Sequence, residues 1–534
     1  MTRANFRGVL LLFCLGALFF AARANLATGA PAMAVNEGRQ ALENWNYAQA
    51  RRISSSLLDL AKSGDKETQA EAELFAARLN FFEGDYAGAK KRLEAAQKLR
   101  DLDEDGKNLL TRVTRLAELW EGAKEERSKH FIVRYTPGKD SVLVKPALDT
   151  LERAYAAMTV DFKTTPVEPV LVEIYPAFEY FTAATGLSEE DLKNSGTIAV
   201  CKYRRLMINS PRTLLRGYAY RDTLAHEFVH FLVYQRFGES TPIWLHEGIA
   251  KYSELRWRGG ANDLAPSSRS LLAFALRQNE LIGFDRMHPS FAKLKTPSQG
   301  QLAFAEVATV VDYMVKTGGW DLVFRLCDEL TRNPDYRAAI RKVTGKPFER
   351  FWQDWIAYAK TLGYREIPGV EISVYEIRKG EPGSEEADEE VSESEVSESE
   401  EMRYARLGDL LRDRGHYPEA AVEYERARAL APFSPRILNK CGLAYFLAGQ
   451  YERGIPPLQQ AIELYPTFST TYINLGRTLF ALDRQKEAES MFNQALDLNP
   501  FNPIPYGYLI KISAARGDSR RARELSEELK IISG

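Results

Sequence analysis

Residues 224–252, from Leu224 to Tyr252, read LAHEFVHFLVYQRFGESTPIWLHEGIAKY and hold three of the chain's six histidines. No proline or glycine interrupts Asp222 to Arg236, so the first half reads as a helix. Within it, His226-Glu227-Phe228-Val229-His230 sets two imidazoles four residues apart. Residues so spaced lie one turn above each other, so both rings leave one helix face and can reach a single ion, while Phe228 and Val229 turn toward the core. Glu227 neighbours the first imidazole without competing for the ion and is placed to take a proton from a metal-activated water. A catalytic zinc usually takes a third protein ligand. A second helix, starting near Trp244 after the loop Phe237 to Pro242, carries Trp244-Leu245-His246-Glu247-Gly248-Ile249-Ala250.

Together the two motifs resemble the gluzincin class of zinc metallopeptidases, in which H-E-x-x-H is followed by W-L-x-E-G-x-A and the glutamate of the second motif ligates the metal. The likeness rests on motif order, the sixteen residues between His230 and Glu247, and the tryptophan, glycine and alanine around the glutamate. It implies that His226, His230 and Glu247 hold one Zn2+ per chain and that Glu227 is the catalytic base and later proton donor. Val233 and Arg236 stand where a metzincin needs glycine and a third histidine, which excludes that class. His246 is the alternative to Glu247 as a ligand, disfavoured because adjacent helical residues point about 100° apart. An oxyanion would need a further donor. Tyr252 and His246 are the candidates, with Tyr218 and Tyr220 also close in sequence; similar domains often carry tyrosine where this chain has Phe304. Asp222 and Glu254 could hydrogen-bond the ligands, although solvated carboxylates are the ordinary outcome at such positions. His130, His288 and His416 lack ligand spacing and read as ordinary histidines.

Around this centre, HFIVRYT, PVLVEIY and GTIAVCKYRRLMINS read as strands. The helical runs VLVKPALDTLERAYAAMTVDF, FAEVATVVDYMVK, GWDLVFRLCDEL and PFERFWQDWIAYAK complete an α+β domain over residues 128–362. Thr197 to Tyr203 is the natural edge strand for pairing with an extended substrate. The later helices resemble those of small bacterial peptidase-MA-like domains.

Beyond the acidic stretch at 379–400, which has no aromatic residue and reads as a self-repelling linker, the chain is periodic. Gly408, Gly442 and Gly476 are 34 residues apart, as are Ala427, Ala461 and Ala495, and Pro432, Pro466 and Pro500. Small residues let paired helices approach, while Tyr424, Leu458 and Phe492 fill the gap. Residues 401–534 resemble tetratricopeptide repeats, three of them followed by a fourth whose pattern degrades after Ala522. That likeness implies a surface for a peptide or protein partner. A looser pattern, with Tyr47 and Ala50 then Tyr86 and Ala89 at a spacing of 39, makes residues 34–121 helical and tetratricopeptide-like.

The expected fold is therefore multidomain: an α+β zincin-like catalytic domain flanked by all-α helical repeats, with a solenoid at the C-terminus. A net charge of −2 and 27% charged residues indicate no nucleic-acid partner. Arg3 and Arg7 precede uncharged Gly8 to Ala22, so residues 1–24 read as a signal peptide, with membrane contact only if this segment stays as an uncleaved anchor. Cys201, Cys327 and Cys441 are too scattered for a disulfide framework or a sulfur metal site. The expectation is an exported zinc-dependent peptidase of a bacterial periplasm, envelope or exterior. Its repeats would recruit a peptide or protein substrate or a partner; the alternative is a non-catalytic scaffold with a structural or vestigial zinc site.

Overall fold

The computed structural model describes residues 32–188, 197–260, 263–288, 290–291, 294–370 and 399–534. The signal peptide and nearly all of the acidic linker read from the sequence lie outside the described residues. The chain divides into two compact units, residues 1–121 and 122–534. Among the described residues no helix is long and apolar enough to cross a membrane.

Among the described residues the first unit is five helices: α1 (32–43), α2 (Tyr47–Ala61), α3 (Lys66–Glu83), α4 (Tyr86–Leu99) and α5 (Glu104–Leu119). Their starts are written in side chains. Asn46, Asp65, Asp85 and Asp103 each accept a hydrogen bond from the backbone N–H three residues on, satisfying a donor that the first turn leaves free. Tyr47, Ala50, Tyr86 and Ala89 are all buried, so the loose repeat read from the sequence corresponds to packed hairpins.

The second unit opens with a five-stranded sheet of order β1-β2-β3-β5-β4, formed by β1 (Lys124–Arg127), β2 (Phe131–Tyr135), β3 (Val170–Tyr175), β4 (Ala199–Lys202) and β5 (Arg205–Asn209). The central β2, β3 and β5 are parallel, and both edge strands are antiparallel to their neighbours. Parallel neighbours need a crossover, supplied between β2 and β3 by α6 (Val144–Phe162). Tyr203 and Arg204, both with positive φ, make the two-residue turn from β4 to β5. The helix α7 (Phe178–Thr185) follows β3.

Next come α8 (Tyr220–Phe237), carrying the paired histidines, and α9 (Ile243–Ser253), carrying Glu247. The domain closes with α10 (Pro266–Gln278), the single turn α11 (Phe284–Met287), α12 (Pro297–Leu330), α13 (Tyr336–Thr344) and α14 (Phe348–Thr361). α12 is broken where Gly319 adopts φ 66° and ψ −176°, which accounts for the two separate helical runs in the sequence. The described cysteines are free.

Four helical hairpins end the chain: α15 (Glu400–Asp413) with α16 (Tyr417–Leu430), α17 (Pro435–Leu447) with α18 (Tyr451–Leu464), α19 (Ser469–Ala481) with α20 (Gln485–Leu498), and α21 (Pro503–Ala515) with α22 (Ser519–Ser533). The glycines do what their spacing predicts. A Cβ on Gly408, Gly442 or Gly476 would meet the side chain of Tyr424, Leu458 or Phe492 at 2.6, 2.3 or 2.7 Å. The fourth hairpin is complete although its pattern degrades. Within α22, Leu525 and Ile532 are the buried residues.

The third repeat grips the peptidase-like region just ahead of α8. The Tyr218 N–H donates to the Leu498 carbonyl at 3.1 Å, Arg221 pairs with Asp497 at 2.7 Å, and Ala219 packs against Tyr472, Ile473, Ala495 and Leu498. Gly217, at φ +67°, lies so close that a Cβ there would sit 2.5 Å from the Leu498 oxygen.

Candidate metal centre

The helix α8 is buried on most of its circumference, with Phe228 and Val229 fully buried, so its rotation about its own axis is determined by packing. In the middle of the helix, between Leu224 and Val233, only His226 and His230 are left partly exposed. The second helix, α9, is placed by the residues that make up its motif. Trp244 stacks flat on Phe284 with centroids 3.8 Å apart, Ala250 is fully buried, and Gly248 faces the backbone of α12, where a Cβ would come within 2.8 Å of the Val307 oxygen. Tryptophan, glycine and alanine therefore set how deep α9 lies, and that depth brings Glu247 over the histidine stripe.

There the three predicted ligands converge. His226 Nε2 and His230 Nε2 are 3.1 Å apart, and Glu247 Oε2 is 3.4 Å from the first and 3.5 Å from the second. One ion with bonds of about 2.0–2.2 Å and tetrahedral angles separates its ligands by about 3.3–3.6 Å. The two carboxylate–imidazole separations match that range and the imidazoles lie slightly closer, so two imidazoles and one carboxylate form a donor set that fits zinc in chemistry and nearly in spacing. Charge agrees with geometry. Burial opposes protonation of His226, yet hydrogen bonds to Glu247 and Glu254 lift its pKa to about 10, so the pocket draws in positive charge when no cation supplies it. Burial pushes the Glu247 carboxyl up, but the two imidazoles outweigh it and hold it well below the ordinary range.

Both rings point Nε2 inward and Nδ1 outward to a partner. His226 Nδ1 meets Glu254 Oε2 at 3.1 Å, and Lys251 Nζ donates to the other oxygen of the same carboxylate at 2.5 Å. His230 Nδ1 is in hydrogen-bond contact with His246 Nδ1. If His230 ligates through Nε2, its proton is on Nδ1 and it donates to His246. Burial and the neighbouring His230 hold His246 neutral, with its pKa down to about 3, so that it can accept. Such partners fix the tautomer and aim of a ligand ring.

Glu227 is buried and beside the cluster. Burial raises its pKa, the imidazoles counter, and a backbone hydrogen bond from Cys201 of edge strand β4 ties it to the sheet. The edge strand read from the sequence thus runs next to Glu227.

Other candidates lie elsewhere. His246 is set against the far side of His230 rather than in the donor cluster. Tyr252 packs on Trp320 with centroids 5.6 Å apart, Tyr218 is buried and donates its hydroxyl to the Asn209 carbonyl, and Tyr220 is buried near the last repeat. Phe304 packs on Phe291. Asp222 accepts from Trp257 Nε1 and Arg258, both at 2.9 Å, and touches no ligand. Of the two carboxylates that could support a ring, Glu254 is the one that does: it is partly buried and 3.1 Å from His226 Nδ1. His130 is a satisfied histidine, with its Nδ1 2.7 Å from Glu152 and its ring stacked on Tyr155.

A profile of the Peptidase MA superfamily matches residues 152–361, the span that contains all of these residues except His130. The chain carries a Peptidase MA superfamily domain. Tetratricopeptide-repeat profiles match residues 408–449 and 469–502, so this domain is followed by such repeats. One curated protein, small glutamine-rich tetratricopeptide repeat-containing protein 2 of Mycosarcoma maydis, is 31% identical over 86 residues, which are 16% of this chain and 24% of that protein. The chain thus spans about a quarter of that relative's length. Among solved structures, the first TPR of Spaghetti (RPAP3) bound to the HSP90 peptide SRMEEVD is 24% identical with a TM-score of 0.22, covering 23% of this chain and 98% of that one. The Sgt2 TPR domain of Aspergillus fumigatus is 22% identical with a TM-score of 0.22, covering 24% and 86%.

Proposed function

We propose that the chain is a zinc-dependent peptidase that hydrolyses peptide bonds in a peptide or protein substrate. The reading is carried by one observation: His226, His230 and Glu247 bring three donor atoms nearly to the mutual spacing of a single tetrahedral ion, with Glu227 beside them. When bound, zinc supplies a Lewis acid that acidifies water and polarises a carbonyl.

The chain's own residues do the rest. His226 and His230 present Nε2, with Glu254 and His246 holding the outer nitrogens. Glu227 accepts the proton of the attacking water and returns it to the leaving amine. The strand β4, with its outer edge unpaired in the sheet, offers backbone groups to an extended substrate alongside that carboxylate. Export to a periplasm, envelope or exterior belongs to the same proposal, supported by Arg3 and Arg7 ahead of the uncharged run Gly8 to Ala22. The repeats are assigned to binding a protein partner or substrate.

The test compares the wild type with Glu227→Gln and His226→Ala for bound zinc and for cleavage of casein and a peptide library. Glu227→Gln should keep one zinc and lose cleavage by about 10²–10⁴-fold, and His226→Ala should lose the metal. A wild type that binds zinc and leaves every substrate intact would favour the scaffold instead.

A further inference from the structure

The repeats are covered unequally. Each hairpin's first helix presents a stripe to the hairpin before it, and 34-residue periodicity allows position-by-position comparison. In the second repeat the stripe is Ile437, Lys440, Cys441 and Ala444, all buried, with Cys441 and Ala444 packed against Ala420, Ala421 and Tyr424 of α16. In the third, Thr471, Asn474, Leu475 and Thr478 are all buried, and in the fourth Leu509 and Ile512 are 3% and 1% exposed. The equivalent residues of α15 are Arg403, Arg406, Leu407 and Leu410. All four are exposed, the leucines by 43% and 55%. Two large apolar side chains thus lie bare where the other repeats bury theirs under a preceding helix.

The charge around them is mainly basic, with Glu400 one turn before Arg403 accepting from the Tyr404 hydroxyl. Arg403 and Arg406 flank Leu407, and Arg414 lies one turn beyond Leu410. Among the described residues, none of the three guanidinium groups forms an ion pair or a side-chain hydrogen bond. The aspartates of α15 are already engaged, Asp409 with Lys440 at 2.9 Å and Asp413 with Arg412 at 3.1 Å. A second copy docking its own α15 antiparallel would set Arg403 against Arg414 in both directions, so like charges oppose a homodimer here.

We infer that this face of the first repeat docks an amphipathic helix of another protein, apolar along one stripe and acidic beside it. The helix occupies the place that helix α16 takes beneath the second repeat. Its apolar stripe covers Leu407 and Leu410, and its carboxylates meet Arg403, Arg406 and Arg414. The site is the end of the array, so it leaves the grip of the third repeat on the segment ahead of α8 untouched. It does not depend on the peptidase reading.

The experiment uses the full chain and a labelled synthetic helix of about five turns with leucines along one stripe and glutamates beside them, read by fluorescence anisotropy. A second peptide has lysine in place of glutamate. The glutamate peptide should bind saturably, and both Leu410→Glu and the double variant Arg403→Glu/Arg406→Glu should weaken it by about tenfold or more. The double variant should gain affinity for the lysine peptide. Because these side chains are exposed, thermal unfolding should be unchanged. Absence of saturable binding overturns the inference, as does binding that Leu410→Glu leaves intact. So does a wild-type dimer that Leu410→Glu dissociates, or a large gain in peptide affinity on deleting residues 381–398, since the face then belongs to a second copy or to the chain's own acidic stretch.

Discussion

Glu254 shows what a single carboxylate does when it is packed against a candidate ligand. Its oxygens are divided between Lys251 and His226 Nδ1, and although burial raises its pKa, the two cationic neighbours hold it below the usual range. Removing such a partner typically costs about 10–100-fold in metal affinity. Glu254→Gln and His246→Ala should therefore weaken zinc binding by about that factor with the fold intact, read by competition with a chelating dye and by circular dichroism. Unchanged affinity in both would reduce these residues to packing. The sequence brought His226 and His230 together as candidate ligands because i and i+4 on a helix meet by geometry alone. It offered Glu254 only as one of two carboxylates able to support a ring and could not choose between them, because Glu254 lies seven residues beyond Glu247, just past the end of α9, and reaches His226 only through the way the two helices cross. Tyr252, named as a candidate from its place in the sequence, packs on Trp320. Five residues after Glu247 is about 140° round the helix, toward Trp320.

At the scale of elements, the start of α8 deserves a test of its own. Ala219 precedes the helix without any side-chain cap, and the Tyr218 N–H finds its acceptor on α20. Gly217→Ala should destabilise the chain by roughly 1–3 kcal/mol, since a methyl group must displace a backbone oxygen at a positive-φ position. Thermal unfolding and zinc content measured together would show whether the loss reaches the metal helix. Equal stability of variant and wild type would mean that the contact with Leu498 is loose. The sequence displayed α8 and the repeats separately, with no sign that one holds the other. It also passed over β1, Lys-Glu-Glu-Arg, whose four residues are all exposed and show no apolar alternation. That strand exists because β2 offers it a free backbone edge, which no periodicity records.

At the scale of the whole molecule, Glu306 carries a pH dependence. It is fully buried in α12 and accepts the N–H groups of Ile282 and Gly283 at 2.7 and 3.2 Å; burial nonetheless raises its pKa from 4.5 to about 7. A folded-state pKa above the unfolded one means that folding takes up a proton. Its stabilising effect is full below about 4.5 and is lost as pH rises through about 7, on the order of 3 kcal/mol across that window. Urea unfolding between pH 4 and 8 should therefore show a decline in the wild type that is shallower in Glu306→Gln. Parallel curves would mean the carboxylate is better solvated than its burial implies.

Two kinds of information divide along the same physical line. Local spacing was enough for the fold class, the 34-residue hairpins, the two imidazoles on one face and the glutamate that follows them, because the period of a helix and the size of a glycine act over a few residues. What touches what across the chain was decided only by the tertiary structure: Glu254 and His246 behind the ligand rings, α20 against Tyr218, and Leu407 and Leu410 left bare. Those contacts depend on crossing angles and on which faces compete for burial, and neither is a property of any one segment.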